Sequence, residues 1–570
     1  MFFISMKIFF HRFSISDAEI QWSAFARMNR EGELVKMKSF LFAGTAAILA
    51  SATMSSHAEE LKIALSSEPT AADPHYHNLS TNNAFVQHIF EALTATDANQ
   101  NVGPSLAESW EGVDDNTWVF KLREGVKFSD GSDFNADDVV FTFCRVLNNK
   151  NNVSGSFAPD VENFASVEVS DPYTVKITTK QVEPLLPELL SQIYILSDGI
   201  LEHGDLSFDP ANGCGVTGEW PSVDSFNNGS MTIGTGPFVL DDFTKGSKIK
   251  MSRNDAYWGE APAWEKVELV PVPSAGPRLA GLLAGDYDFI ESPAARDVKQ
   301  LGEEFGYTAK PSSRVIFLQM DVARDDSPFI EAEGGKNPFQ DERVRRAVAH
   351  AINREAIVER IMDGFAEPAS QFVPSEMFGA QTDPVPLTYD PEKAKALLAE
   401  AGYPDGFKVT LSATNDRYIN DSQVAQAIAQ FLTRVGIETD LDAMTRSIFF
   451  SRRSKREFSF SMGGWGSTSG GAASFLRQYV TTGDKERGVG GSNYGGWSDP
   501  EFDAVILEAI ETVDAGKRAE MLQQAGQMAL DKLGLIPVHF ESTLWAYRDG
   551  LAFDGRMDQY TMAKDIRPAK

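Results

Sequence analysis

The sequence predicts an α/β protein of more than one domain. Strand-like and helix-like patterns alternate almost throughout residues 59–550. A chain of 570 residues is too long for one hydrophobic core. No self-similarity at a solenoid period is visible, which excludes a repeat array.

Hydrophobic residues make up 42% of the chain and the mean hydropathy is -0.24, the composition of an ordinary globular protein. The formal net charge of -29 argues against nucleic acid as a partner, because that needs clustered Lys and Arg to displace counterions. No apolar run reaches the roughly 18 residues of a membrane-spanning helix.

Residues 1–36 mix Phe, Arg and Glu without periodicity and read as a non-native or unstructured extension. Met37-Lys38 then opens SFLFAGTAAILASATM, and Ser56-His57-Ala58 supplies a small-x-small pattern. A positive start, a short apolar region and that pattern predict a signal peptide over 37–58, cut between Ala58 and Glu59. No Cys lies at the cut, so a soluble exported protein is expected, periplasmic in a bacterium with two membranes.

The elements follow in order. LKIALSSEP is a strand stopped by Pro, and AFVQHIFEALTA predicts an amphipathic helix with Phe85, Ile89, Phe90 and Leu93 on one side. WVFKLREGVKF predicts a strand, a Gly turn and a second strand. Asn135 then caps a helix whose Asp137 and Asp138 suit the positive end of its dipole. Residues 167–193 read as strand, turn and Pro-bounded helix, and 204–232 as loop. KIKMSRN and VELVPVP are strands, and PRLAGLLAGDYDFI is read as helix.

In 339–365 a helical tract carries Val344, Ala347, Val348 and Ala351 as its stripe, with Asn353 starting a second helix. Asp390 caps the next helix, Pro391 begins it and Gly402 ends it. FKVTLSAT, SQVAQAIAQFLTRVG and IETDLDAM are strand, helix and strand; two more helices precede the strand IPVHFES.

Catalytic and metal patterns fail. HExxH and Walker loops are absent, and the nearest approach to G-x-S-x-G, GSTSG at 466–470, has Thr468 at the nucleophile position. Asp73, His75, His77 and His88 match no metal spacing, so neither metal nor cofactor is expected. An exported hydrolase would need a nucleophile–base pair, and none is visible. Cys144 and Cys214 are the only cysteines; in an oxidising compartment such a pair predicts a disulfide, with two separately buried thiols as the alternative.

The run 106-LAESWEGVDDNTWVFKLREGVKFSDGSDFNADDVVFTF-143 resembles the signature of the peptide and nickel family of extracellular solute-binding proteins, the receptors of ABC importers. DPHYHNLSTNNAFVQHIFEALT, GTGPFVL, NDAYWGEAP, LLAGDYDFI, DERVRRAVAHAINREAIV, YDPEKAKALLAEAGYPDG and SDPEFDAVI agree in order and cover essentially all of 59–550. The resemblance implies a type II-like periplasmic binding protein: two α/β lobes joined by crossing strands, closing on ligand at a hinge. Lobe I is expected at 59–103, 231–321 and 536–570, an inserted domain at 104–230, and lobe II at 322–535. RVIFLQMDV is the expected crossing strand and IPVHFES its return.

The implied function is a monomeric, non-enzymatic receptor for short peptides or peptide-like compounds, delivering them to a permease with two ATPase subunits. Nickel chelates, haem, oligosaccharides and opine-like conjugates are alternatives in the same fold. A chaperone-like peptide holder would instead bind broadly and weakly. By resemblance, Gly464, Trp465, Gly466, Ser467 and Thr468 form a wall whose backbone pairs with ligand, facing Asn78, Leu79 and Ser80. Peptide binders of the family hold the ligand's ammonium with Asp at the last position of that block, where this chain has Thr468. No Asp or Glu occurs between 458 and 483, so the ligand end there is expected to be neutral or hydroxyl-bearing, unless an acid from another segment substitutes.

Overall fold

The computed structural model describes residues 60–149, 157–467 and 471–569. The chain divides into Met1–His57 and Ala58–Lys570, and all the described residues belong to the second unit. The expected extension, signal peptide and cleavage point lie outside the described residues, as does Thr468.

One mixed twelve-stranded sheet organises the unit. Its main path runs Ile330–Glu331, Phe407–Thr414, Phe460–Gly466, Phe305–Met320, Ile536–Arg548, Phe289–Glu291, Glu60–Leu65, Lys266–Pro271, Lys248–Arg253 and Phe238–Thr244. Two long antiparallel strands, Phe305–Met320 and Ile536–Arg548, sit at its middle and pass from one half to the other. Both are longer than the expected RVIFLQMDV and IPVHFES. On one side the core gathers Leu61, Ile63, Phe85, Phe289 and Trp545; on the other it gathers Leu318, Val344, Val348, Ile428 and Phe460.

A separate four-stranded antiparallel sheet (Ala107–Gly112, Thr117–Leu122, Thr174–Thr179, Phe164–Asp171) packs on the helix Ala136–Asn148 over a core of its own. Asn135 caps that helix and Asp138 returns the bond to the Asn135 N–H, a capping box. Cys144 on the helix is disulfide-bonded to Cys214, their Cα atoms 6.2 Å apart. Arg145, one residue on, grips Asp73 with two bonds of 2.7 and 2.6 Å, and both side chains are completely buried.

Three expectations need correction. The first helix is Ser80–Val86, not a helix running on through residue 95. Phe85, Ile89, Phe90 and Leu93 are all buried, but the carbonyls of His88 and Ile89 leave the helical path to accept the N–H groups of Phe238 and Gly236. Gly236 permits that approach, since a Cβ there would lie 2.6 Å from the Ile89 carbonyl carbon. The second strand after Gly125 reduces to one bridge, Lys127 with Asp133. The helix through PRLAGLLA stops at Ala284, with Gly285 left-handed at φ 80°, and Phe289–Glu291 is a strand.

Candidate functional site

The site is built where the two long strands lose register. Pro311 pairs with Ser542 and Val315 with Phe540, so Ser312, Ser313 and Arg314 face Glu541 alone. Such a bulge re-aims side chains. Ser312 Oγ donates to the Glu541 carbonyl at 2.9 Å, and Arg314 turns into the space between the halves.

That space is a cleft of connected cavities. One of about 560 Å³ is lined from the first half by Ser66, Leu79, Ser80 and Glu291, and from the second by Arg417, Arg446 and Phe450. Another of about 880 Å³ adds Arg296, Arg360, Asp363, Asn420 and Glu541. Arg314, Arg417, Ser66 and Gln559 line both. A much smaller void of about 40 Å³ is bounded by Ser80, Gln100, Gly466 and Ser467. The two large volumes fall in the range of small-molecule sites.

Cations dominate the lining. Arg314 lies 3.5 Å from Glu541, and its Nη2 donates to Gln559 at 3.3 Å. Among the described residues Arg360, Arg417 and Arg446 form no salt bridge. Burial, and then the neighbouring Arg314, push the Arg417 guanidinium below its ordinary pKa. Burial raises the Glu541 carboxyl, opposed by Arg314 and by the N–H of Ile419, which donates to it at 2.8 Å. An anion entering beside Arg417 would relieve the repulsion between the two guanidinium groups.

The residues expected from sequence divide. Leu79 and Ser80 line the 560 Å³ cavity, and Gly466 and Ser467 bound the small void. Asn78 is turned to its own helix, accepting from Asn83 at 2.8 Å. Gly464 is crossed by Tyr418, whose hydroxyl donates to the Gly464 carbonyl at 3.1 Å; a Cβ at 464 would sit 2.7 Å from that ring. Trp465 lies against Tyr479, ring centroids 5.3 Å apart, with its indole N–H unpartnered among the described residues.

The strand Phe460–Gly466 pairs with Phe305–Met320 along its whole length, but with Phe407–Thr414 only at Ser461. Among the described residues no strand pairs with its other edge from Met462 to Gly466, although Tyr418 covers it at Gly464. Beyond it the Ser467 carbonyl accepts from Gln100 Nε2 at 2.9 Å and Ser313 Oγ at 3.2 Å. Arg314, Arg417, Arg446, Glu291 and Glu541 escaped the sequence reading, since isolated charges in ordinary strands and turns carry no periodic signal.

The family model described as bacterial extracellular solute-binding proteins, family 5 Middle, matches residues 101–487. The chain belongs to that family. Among curated relatives, the heme-binding protein A of Haemophilus influenzae is 29% identical over 482 residues, covering 80% of this chain and 82% of that one. The dipeptide-binding protein of Escherichia coli is 30% identical over 444 residues, 74% of this chain and 78% of its own. Among solved structures, HbpA2 from Haemophilus parasuis is 25% identical with a TM-score of 0.75, covering 90% of this chain and 100% of that chain. Family 5 proteins are solute receptors of ABC importers with the type II binding-protein fold, and this chain shares both.

Proposed function

We propose that this receptor captures a carboxylate-bearing solute of peptide size in the cleft and delivers it, after hinge closure, to a membrane permease driven by two ATPase subunits. One observation carries the reading: a protein of net charge -29 lines its cleft with Arg314, Arg417, Arg446, Arg360 and Arg296 against Glu291, Glu541 and Asp363. A low-dielectric cleft of one sign focuses its field on the opposite charge, and guanidinium forks match carboxylates. The dipeptide-binding and heme-binding relatives fit this chemistry, since dipeptides and haem both carry carboxylates.

Short peptides or peptide-like compounds are the first ligand class, with the strand end at Trp465 and Gly466 offering backbone pairing and Leu79, Ser80, Gly466 and Ser467 as walls. Acidic conjugates are the alternative within the same fold. The lobes divide at 59–103, 231–321 and 536–570 against 322–535, with 104–230 inserted. The protein acts without enzymatic turnover, as a monomer in the periplasm after loss of its signal peptide. No helix among the described residues is long and apolar enough to cross a membrane, as this reading requires.

Native mass spectrometry of protein purified from its own periplasm tests the reading. The expected result is a bound acid released on denaturation; a neutral or cationic ligand overturns it.

A further inference from the structure

We infer that Glu291 receives the ammonium group of the ligand, so that the solute is a zwitterion stretched across the cleft from Glu291 to the arginines. This rests on the carboxylate reading above and narrows its ligand class.

Glu291 ends the strand Phe289–Glu291 and is, among the described residues, the one carboxylate lining the 560 Å³ cavity, which it shares with Arg314, Arg417 and Arg446. Its Oε2 accepts the Ser66 N–H at 2.8 Å and the Ser66 hydroxyl at 3.0 Å. Its Oε1 takes no hydrogen bond from any described residue.

Glu291 acts at a distance on Arg278, a buried cation whose own hydrogen bonds go elsewhere. Its guanidinium donates to the backbone carbonyls of Val272, Pro273, Glu291 and Ser292. The bond to Ser66 needs only an acceptor, which a glutamine amide would supply as well. A glutamine would therefore keep the Ser66 contact while removing the charge that Arg278 feels and that a ligand in the cavity would meet.

The other carboxylate central to the cleft is different. Glu541 already faces Arg314 and the Ile419 N–H. The aromatic and apolar walls of the cavity (Leu79, Phe450, Trp545) would strip water from any ammonium placed there, and a desolvated ammonium without a counter-charge is costly. Glu291 meets that requirement from the half opposite Arg417 and Arg446. A solute bearing both charges ties the halves together, whereas one bearing only a carboxylate engages one side.

The probes are a mixed tripeptide library with free amine and carboxylate, and the same library N-acetylated. Each is applied to wild type, Glu291→Gln and Arg417→Ala, and retained peptides are quantified by mass spectrometry. Wild type should retain the free-amine library by about tenfold over the acetylated one, the size of one charge contact. Glu291→Gln should bring the two within about threefold, and Arg417→Ala should weaken both by a similar factor.

Equal retention of both libraries by wild type, or an unchanged ratio in Glu291→Gln, overturns the inference and leaves the carboxylate reading standing. Retention of neither library overturns both. Should Glu291→Gln not fold, as judged by thermal unfolding, Glu291→Asp is read instead. A fall in free-amine retention alone supports the inference, and no change in either library overturns it.

Discussion

Arg314 and Glu541 face each other at 3.5 Å from the two strands that pass between the halves, at the one point where three residues on one strand oppose one on the other. Glu541 is 3% exposed, so its charge is tied to the arginine beside it. Arg417 belongs to the same group of charges but has no acid of its own among the described residues. The pair anchors the strands, and the free cation is left for the ligand.

Arg417→Ala should therefore leave folding stability within about 0.5 kcal/mol while costing about 2 kcal/mol of ligand binding. Arg314→Ala should lower both, because it strands a buried carboxylate, with roughly 3 kcal/mol lost from stability. Calorimetric titration of the recovered ligand, paired with urea unfolding, separates the two outcomes. Equal effects of the two variants on stability would contradict the assignment.

Three buried histidines weaken the fold in acid, while Asp138, raised by burial to about 8, and Asp160, raised to about 6, act the other way. Burial pushes the pKa of His75 and His539 down to about 3 and that of His88 to about 4. In the unfolded chain each titrates near 6.5. The unfolded state thus binds more protons below that value, and stability present above it is lost as pH falls toward the folded values. Each histidine contributes up to about 1.4 kcal/mol per pH unit between roughly pH 6 and 4. Burial pushes the Asp73 carboxyl up, but its contacts with Arg145 and His75 leave it lowered overall, which adds a further loss at more acid pH. The pH slope of the unfolding free energy between about pH 7 and 4 should therefore differ between wild type and His539→Met by up to about one proton. Identical slopes in the two proteins contradict the assignment.

Free-thiol labelling of unfolded, unreduced protein should find no reactive cysteine, because Cys144 and Cys214 are bonded. Their bridge closes a loop with a sequence separation of 70 residues. Replacing both by Ala should cost about 4 kcal/mol on the chain-entropy argument. The four-stranded sheet region should lose hydrogen-exchange protection first.

Trp465→Ala tests the wall at 464–468. The ring packs on Tyr479 and the second-half core rather than lining the large cavities, so the change should cost about 3 kcal/mol of stability. Trp118 is 7% exposed in the core of the four-stranded sheet, and its loss should cost a similar amount without touching affinity. If Trp465 also bounds bound ligand, its variant alone will lose roughly 1–3 kcal/mol of binding. Titration of both variants at matched folded fraction decides.

The exported protein should begin at Glu59. Amino-terminal sequencing of periplasmic material is the check, and recovery of any of residues 1–36 there would count against the signal at 37–58.

Elements whose own residues contain the reason for them were legible in the chain. Asn135 with Asp138, Asp390 with Pro391, and the stripe Val344, Ala347, Val348 and Ala351 each specify a helix through contacts a few residues apart, and each stands where expected. The alternation of these elements gave the α/β class, and matched blocks over most of the chain pointed to the family. Long-range contacts decided the rest. The first helix ends at Val86 because the carbonyls of His88 and Ile89 find better partners at Phe238 and Gly236, some 150 positions away. The charged cleft has the same origin: Arg314, Arg417, Arg446, Glu291 and Glu541 come from five separate segments, and the register break between the long strands sets only Arg314 against Glu541 while other long-range packing brings the rest to the cleft. Local periodicity reports which face of an element is buried; it holds no information about which distant charges will share a cavity, because that depends on how whole strands are offset against one another.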